Sequence, residues 1–345
     1  MNKECRKKYD LVFITNMPAF YKIRLWNEIS IKKNILAIFV NPIDESRNKD
    51  FLSGDPKFDF ISLDSEGIIK KVVVIIKLLQ SVEYKRLIIG GWDNAASLII
   101  PFLTKKNKNC ILCESSIFEY RPAFLKDCIK RLFLRRISIG YPAGLSHGRL
   151  LRKLGFKGKL VYTGGCGLLN YQPTPKYEFR SEVKNFLYVG RLIEVKNIKL
   201  LISVFQQMPH LDLYIIGFGE QEKELRAMGA CDNIHFIGAI NNSDLHSYYR
   251  KADVFVLPSK SETWGLVVEE ALNCGTPVLV SDMVGCKDDL VTEETGLVFD
   301  HASEASLRLA IEQMCNIEYY NKLRAGVSRL DFFARAQQQI NAFLD

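Results

Sequence analysis

Two glutamates eight positions apart, Glu262 and Glu270, stand in the segment VFVLPSKSETWGLVVEEALNCGTPVLVSD, which spans 254–282. The run 254–257 is short, β-branched and apolar, and Pro258 and Ser259 close it, as expected of a buried strand. From Gly265 the pattern turns helical, with Leu266, Val267, Ala271 and Leu272 apolar, and Gly275 provides the stop before Thr276-Pro277. A second apolar run follows at 277–282. This is a strand, loop, helix, strand unit of a parallel sheet, in which ligands collect at the carboxyl ends of the strands. Glu262 falls in the loop at that end and Glu270 in the helix. The backbone N–H groups of Gly265, Leu266 and Val267 lack helical acceptors, and with the helix dipole they attract phosphate. Two carboxylates flanking an anion site suit a ligand with phosphates in its middle and hydroxyls at both ends, the shape of a nucleotide sugar. The dipole alone also favours a glutamate near a helix start, so the argument rests on the whole unit.

A second constellation lies about seventy residues earlier, in VGRLIEVKN. Gly190 permits a tight turn, and Arg191 and Lys196 are two cations at a strand end, where a diphosphate can be clamped. Solvated surface charges are the alternative reading of such a pair. The segment IIGFGE at 215–220 has a G-x-G turn after a strand, but Glu222 stands where a dinucleotide fingerprint needs its third glycine, which argues against a nicotinamide oxidoreductase.

Taken together, SETWGLVVEEALNCGTPVLVS and FLYVGRLIEVKN resemble the E-x7-E and GR…K segments of the retaining glycosyltransferases of family 4. The resemblance implies a GT-B fold. It assigns Glu270 to the donor ribose, Glu262 to the transferred sugar, Arg191 and Lys196 to the diphosphate, and Gly265, Leu266 and Val267 to backbone contacts with that diphosphate. Thr263 and Trp264 join the donor-binding set, Trp264 standing where the family usually has Phe. HFIGAINNSDL resembles the loop that holds the nucleobase, with Ile240 at its centre. In the first half, ITNMPAFYKIRLWNEI resembles the start of many members, making Asn16, Met17, Pro18, Tyr21 and Arg24 the acceptor-side candidates. Where many members have a His after a central strand, CILCESS has Glu114, a sugar-binding carboxylate or a strand-end surface residue. His147 is expected to cap or flank a helix.

Strands expected at 9–15, 36–40, 58–63, 86–90, 110–113 and 159–163, with helices between, make the first half a doubly wound parallel sheet. Strands at 186–190, 211–217, 234–238, 254–257, 277–281 and 296–299 make the second half another. The linker chemistry of 164–184 places the boundary so that domain one is 1–172 and domain two 173–345, with a cleft between the facing sheets and a last helix that can cross back. The 345 residues, 48% hydrophobic and 25% charged, have an ordinary globular balance. Nine scattered cysteines read as reduced buried thiols of a cytoplasmic protein, and Cys110-x2-Cys113 lacks the second pair a zinc site needs.

The net charge of +8 is unevenly shared. Through Gln172 there are 30 Lys and Arg against 15 Asp and Glu, and beyond it 17 against 24. The segment 121–136, RPAFLKDCIKRLFLRR, read as a helix, sets Phe124, Ile129, Leu132, Phe133 and Leu134 against a basic face of Lys126, Lys130, Arg131, Arg135 and Arg136. Such a helix can be a solvated one whose apolar side is core, or can lie on an anionic membrane surface. No stretch is long and apolar enough to cross a bilayer, and no nucleic-acid-binding signature accompanies the charge. The expected protein is a peripheral enzyme on the inner face of the cytoplasmic membrane. It moves a hexose or N-acetylhexosamine from a UDP- or GDP-sugar to a lipid-linked or polysaccharide acceptor of lipopolysaccharide, O-antigen or capsule type. Retention comes from the resemblance. No cofactor and no metal are expected, since no D-x-D pair stands at a strand end. A nucleotide-sugar epimerase, a phosphorylase of the same architecture and a non-catalytic GT-B scaffold are the competing readings.

Overall fold

The run KYDLVFIT forms β1 (Lys8–Thr15), buried from Leu11 onward because both faces of the sheet it joins are covered. The computed structural model describes residues 6–40, 54–63, 67–92 and 94–344. By contacts they divide into two units, Met1–Leu168 with Arg335–Asp345, and Leu169–Ala334.

In the first unit β1 is followed by α1 (Phe20–Ser30), β2 (Ile35–Phe39), β3 (Asp59–Ser62), α2 (Ile68–Ser81), β4 (Glu83–Gly90), α3 (Ala95–Leu103), β5 (Asn109–Cys113), α4 (Phe124–Leu134), β6 (Ile139–Pro142), α5 (Leu145–Lys153) and β7 (Lys159–Leu160). The sheet is parallel in the order β3-β2-β1-β4-β5-β6-β7. Its strand order reverses direction between β1 and β4, which sets a crevice at their carboxyl ends. One face packs against α2, α3 and α4: Ile75, Leu79, Ala96, Ile100, Phe133 and Leu134 enter a single core with Val12, Ile14, Leu87 and Ile89. On the other face Phe13 stacks on Trp26 of α1 at 4.4 Å, and Phe343 lies 5.9 Å from Phe13 and 4.8 Å from Tyr141. Phe343 belongs to the last helix, α13, whose part from Arg335 onward clusters with the first unit. The Arg335 guanidinium donates to the Gly164 carbonyl at 2.8 Å, and the Gln339 side chain accepts from the Gly167 N–H at 3.0 Å.

The second unit runs β8 (Asn185–Val189), α6 (Ile198–Gln206), β9 (Asp212–Ile216), α7 (Glu222–Met228), β10 (Ile234–Gly238), α8 (Leu245–Lys251), β11 (Val254–Leu257), α9 (Leu266–Asn273), β12 (Val278–Ser281), α10 (Lys287–Leu290), β13 (Gly296–Phe299), α11 (Glu304–Met314) and α12 (Ile317–Val327), with α13 (Phe332–Leu344) beginning in it. Its sheet, β10-β9-β8-β11-β12-β13, is also parallel. Here the order reverses between β8 and β11, so the loops after these two strands open the crevice.

Local departures from the sequence reading have physical causes. The strand expected over 159–163 is assigned only at Lys159–Leu160, yet the chain follows β6 further along the sheet edge: the Val161 N–H donates to the Gly140 carbonyl at 2.9 Å and the Thr163 N–H to the Pro142 carbonyl at 3.0 Å. The helix expected over 121–136 is α4, and its apolar residues do not share one side: Phe133 and Leu134 are core, whereas Phe124, Ile129 and Leu132 are 81%, 51% and 50% exposed. His147 lies inside α5, fully buried, with Nδ1 3.0 Å from the Ser146 hydroxyl. The described cysteines are free, and Cys231 is exposed rather than buried. Among the described residues no helix is long and apolar enough to cross a membrane.

Candidate functional site

The crevice between β8 and β11 is where the sequence-selected residues of the second unit converge. After β8 the chain turns at Gly190 into the short 3-10 turn Glu194–Lys196, and after β11 it runs through Ser259 to Gly265. The Lys260 N–H donates to the Val195 carbonyl at 2.8 Å and joins the two loops. Across this join the Lys196 ammonium donates to Glu262, and each side chain is 14% exposed. Glu262 is also held through its backbone: its N–H reaches the Met283 carbonyl at 3.2 Å and its carbonyl accepts from Gly285 at 3.0 Å. Gly285 has to be glycine because a Cβ there would sit 1.7 Å from the Thr263 carbonyl.

The G-x-G turn after β9 supports the β8 loop from the side. A Cβ at Gly217 would lie 1.8 Å from the Gly190 carbonyl, and φ at Gly217 is +141°. The Leu192 N–H donates to the Phe218 carbonyl at 2.8 Å, so the two turns form one rigid edge. Arg191 is exposed on that edge and makes no ion pair with a described residue, while its carbonyl accepts from the buried Tyr188 hydroxyl at 2.9 Å. A cation held by its backbone with a free guanidinium is placed to meet an anion.

Gly265 adopts φ +103° and is the N-cap of α9. Only glycine takes that conformation without strain, and it turns the chain so that the N–H groups of Leu266 and Val267 start the helix with no acceptor behind them. Glu270, in the middle of α9, accepts from the Tyr249 hydroxyl at 2.9 Å. Burial raises its pKa to about 7, against the lowering effect of the tyrosine hydrogen bond. The same burial and the neighbouring carboxylate push the Tyr249 phenol well up. Ile240 lies just beyond β10, at the carboxyl edge of the same sheet, and is partly buried.

Two further members of the expected donor-binding set stand in the loop before α9. Trp264 is only 2% exposed, and its indole N–H donates to the fully buried Glu269 at 3.1 Å, so the ring packs beneath the loop. Thr263 is exposed. Glu269 is not among the sequence-selected residues, because a carboxylate in the first turn of a helix is favoured by the dipole alone. The signal was present in Trp264, a large side chain five residues earlier that needs an acceptor for its N–H when buried.

In the first unit, Asn16, Met17 and Pro18 lie directly after β1, at the crevice where that sheet reverses. Tyr21 and Arg24 are on α1. The Tyr21 carbonyl accepts from the Leu168 N–H at 2.9 Å, and the exposed Arg24 guanidinium lies 5.5 Å from the Phe20 ring. Glu114, just past β5, receives the Lys22 ammonium at 2.9 Å. Lys22 is 8% exposed, and although burial opposes its charge, Glu114 and Tyr21 raise its pKa well above the usual lysine value. Sequence reasoning missed Lys22. Its spacing from Leu25, Trp26 and Ile29 puts it on the core side of α1, where a lysine requires a partner.

Among the described residues one group could gather a cation, Asp282, Asp300 and His301, after β12 and β13. His301 Nδ1 is 2.8 Å from Asp282, a hydrogen bond that accounts for the grouping without an ion.

Residues 174–328 match the family model described as "Glycosyl transferases group 1". An O-antigen biosynthesis glycosyltransferase of Escherichia coli, WbnH, is 35% identical over 119 residues, 34% of each chain. The chain matches about a third or less of the length of such curated relatives. Among solved structures, the sucrose-phosphate synthase of Thermosynechococcus elongatus superposes with a TM-score of 0.75 at 18% identity, covering 97% of this chain and 96% of that one. The lipopolysaccharide outer core galactosyltransferase WaaB does so with 0.73 at 15%, covering 96% and 98%. The two parallel α/β sheets have the GT-B fold, and the second of them carries the glycosyl transferases group 1 pattern.

Proposed function

We propose that the protein is a glycosyltransferase that moves a hexose or N-acetylhexosamine from a UDP- or GDP-sugar to a lipid-linked or cell-envelope glycan, with retention and without a metal. The observation that carries this reading is the pairing of Lys196 with Glu262 beside the glycine-turned start of α9. A cation, a carboxylate and an unpartnered helix start converge at the switch point of a parallel sheet.

The donor diphosphate meets the Leu266 and Val267 N–H groups, with Arg191 and Lys196 as charge-assisted donors. The ribose hydroxyls donate to Glu270, and Ile240 lies by the base. As the bond from the anomeric carbon to the diphosphate oxygen breaks, negative charge grows on that oxygen and positive charge on the sugar. Arg191, Lys196 and the helix start stabilise the first, and the Glu262 carboxylate faces the second. The acceptor oxygen bonds to the anomeric carbon on the face the diphosphate leaves, and its proton passes to the departing phosphate oxygen. Asn16, Met17, Pro18, Tyr21 and Arg24 are assigned to the acceptor side, and the pair Lys22–Glu114 holds the edge beside them.

The envelope-glycan acceptor is supported by the names of the E. coli relative and of WaaB. A lipid-linked acceptor brings the enzyme to the inner leaflet. Calorimetric titration with UDP and GDP without added metal, on the native chain and on Glu270→Ala, tests the donor site. One nucleotide binds and the variant loses it if the reading is right. Absence of binding by both nucleotides refutes it.

A further inference from the structure

Beneath the loop that carries Glu262 lies a second carboxylate, Glu269, which the proposed chemistry does not use. It sits in the first turn of α9, is fully buried, and accepts the Trp264 indole N–H at 3.1 Å. Trp264 stands two positions after Glu262 and directly before Gly265, the N-cap of α9. A tryptophan buried this deeply needs a protein acceptor for its N–H. A carboxylate is a demanding choice of acceptor, because taking it out of water opposes folding. The buried positions around it, Val268, Ala271 and Leu272, are apolar. The helix start offsets part of that cost, since the dipole favours an anion in the first turn.

The backbone of the same loop is tied to the segment after β12. Glu262 and Val284 form an isolated parallel bridge, and the Cys286 N–H donates to the Trp264 carbonyl at 2.9 Å. Val284 and Cys286 are fully buried, and a Cβ at Gly265 would stand 3.2 Å from Val284 and 3.4 Å from the Cys286 Sγ. Contacts along one edge fix where the loop lies, but the loop can still roll about that edge. The indole, inserted beneath and bonded to Glu269, opposes such rolling. Because Glu269 belongs to α9, the same bond links the Glu262 loop to the helix whose first N–H groups are assigned to the diphosphate. Glu270 does not duplicate this role. Successive residues of a helix point about 100° apart, and Glu270 accepts from Tyr249 instead.

We infer that Glu269 is a positioning residue of the donor site, which through Trp264 holds the Glu262 loop and the start of α9 in register. Being fully buried, it meets neither donor nor acceptor itself. The inference rests on the transferase reading and extends it to the layer beneath the phosphates. Register matters because a misplacement of about 1 Å at a reacting centre costs on the order of 10²-fold in rate. At the helix start the same misplacement weakens the N–H contacts with the diphosphate, so nucleotide affinity reports it without an assay of transfer.

Calorimetric titration with UDP and GDP, with a thermal melt of each sample, tests it on the full native chain, Glu269→Gln, Glu269→Leu, Trp264→Phe and the last two combined. For the nucleotide that the native chain binds, Glu269→Leu and Trp264→Phe are each expected to weaken affinity about tenfold, the loss of one charge-assisted contact, at unchanged stoichiometry. The stoichiometry counts folded chains only, so a fall in Tm alone does not produce this result. Glu269→Gln gives up the charge and keeps a carbonyl acceptor, and it is expected to bind at least as tightly as the native chain. Because both single variants break one bond, the combined variant is expected to lose no more than the weaker of them. Native-like affinity in Glu269→Leu or Trp264→Phe makes the pair a packing feature and overturns the inference. So does weakening in Glu269→Gln, which makes the charge the active property, and so do losses that multiply in the combined variant. If Glu269→Leu does not fold, Trp264→Phe and Glu269→Gln decide the matter by the same criteria. A native chain that binds neither nucleotide refutes the transferase reading itself, whereas unmoved variants of a binding chain refute only the positioning role.

Discussion

Lys196 and Glu262, sixty-six residues apart, form an ion pair across the two loops that follow β8 and β11. With each side chain only 14% exposed, the pair is poorly screened, and the carboxylate neutralises the cation assigned to the diphosphate. In the proposed site, donor binding is therefore expected to redistribute an existing charge pair. Glu262→Gln frees Lys196 and removes one negative charge near the diphosphate. UDP affinity is expected to hold or rise while turnover falls by ~10²-fold or more, as for other lost electrostatic stabilisers. Lys196→Ala is expected to weaken both. Calorimetry and steady-state kinetics separate these outcomes, and a Glu262→Gln variant that loses UDP binding counts against the arrangement.

In the proposed donor site, Glu270 is expected to couple nucleotide binding to pH. Its folded pKa of about 7 lies above the ordinary carboxyl value, because burial disfavours the anion. A carboxyl group whose pKa is raised by folding contributes stability at low pH, and that contribution is lost as pH rises from the unfolded value through about 7. Nucleotide binding is expected to run the other way, since the ribose hydroxyls assigned to Glu270 need the carboxylate as acceptor. UDP affinity is expected to rise as pH increases through about 7 and to flatten in Glu270→Gln. Titrations across that range check the sign, and an affinity that falls with pH speaks against the ribose assignment.

Gly265→Ala places a side chain at φ +103°, with the new Cβ 3.2 Å from Val284. The conformational penalty is about 1–2 kcal/mol. A fall in Tm of a few degrees with weakened diphosphate binding is the expected result. Differential scanning calorimetry and UDP titration read the two effects. A variant that melts like the native chain and binds UDP equally well removes the helix start from the site.

The Lys22–Glu114 pair is unequal in burial, the lysine side chain being 10% and the glutamate 29% exposed. Glu114→Ala leaves a buried ammonium without its partner and is expected to destabilise the first unit by about 3–5 kcal/mol. Lys22→Met leaves a carboxylate that reaches water and keeps most of the volume, so its cost is expected to be smaller. Denaturant melts of both variants test the order. The reverse order would mean that Glu114, not Lys22, is the buried partner.

The alternation of short apolar runs with amphipathic segments was enough to read two doubly wound sheets from the sequence. A buried parallel strand and a core-facing helix each write their period into a few consecutive residues. The same locality made the site loops legible. Gly190, Gly217 and Gly265 mark turns that other residues cannot make, and the stretch from Glu262 to Glu270 contains its loop, cap and helix within nine residues. The tertiary structure decided which distant groups share a charge and which faces stay bare. Lys196 meets Glu262 because the strand order brings two loops to the carboxyl edge of the second sheet, and Lys22 meets Glu114 because it brings the start of α1 beside the end of β5 in the first. Phe124, Ile129 and Leu132 share the apolar set with Phe133 and Leu134 in the sequence, but α4 turns Phe133 and Leu134 inward and leaves the other three exposed. Periodicity specifies a stripe on a helix, whereas the packing of its neighbours determines how much of that stripe is covered.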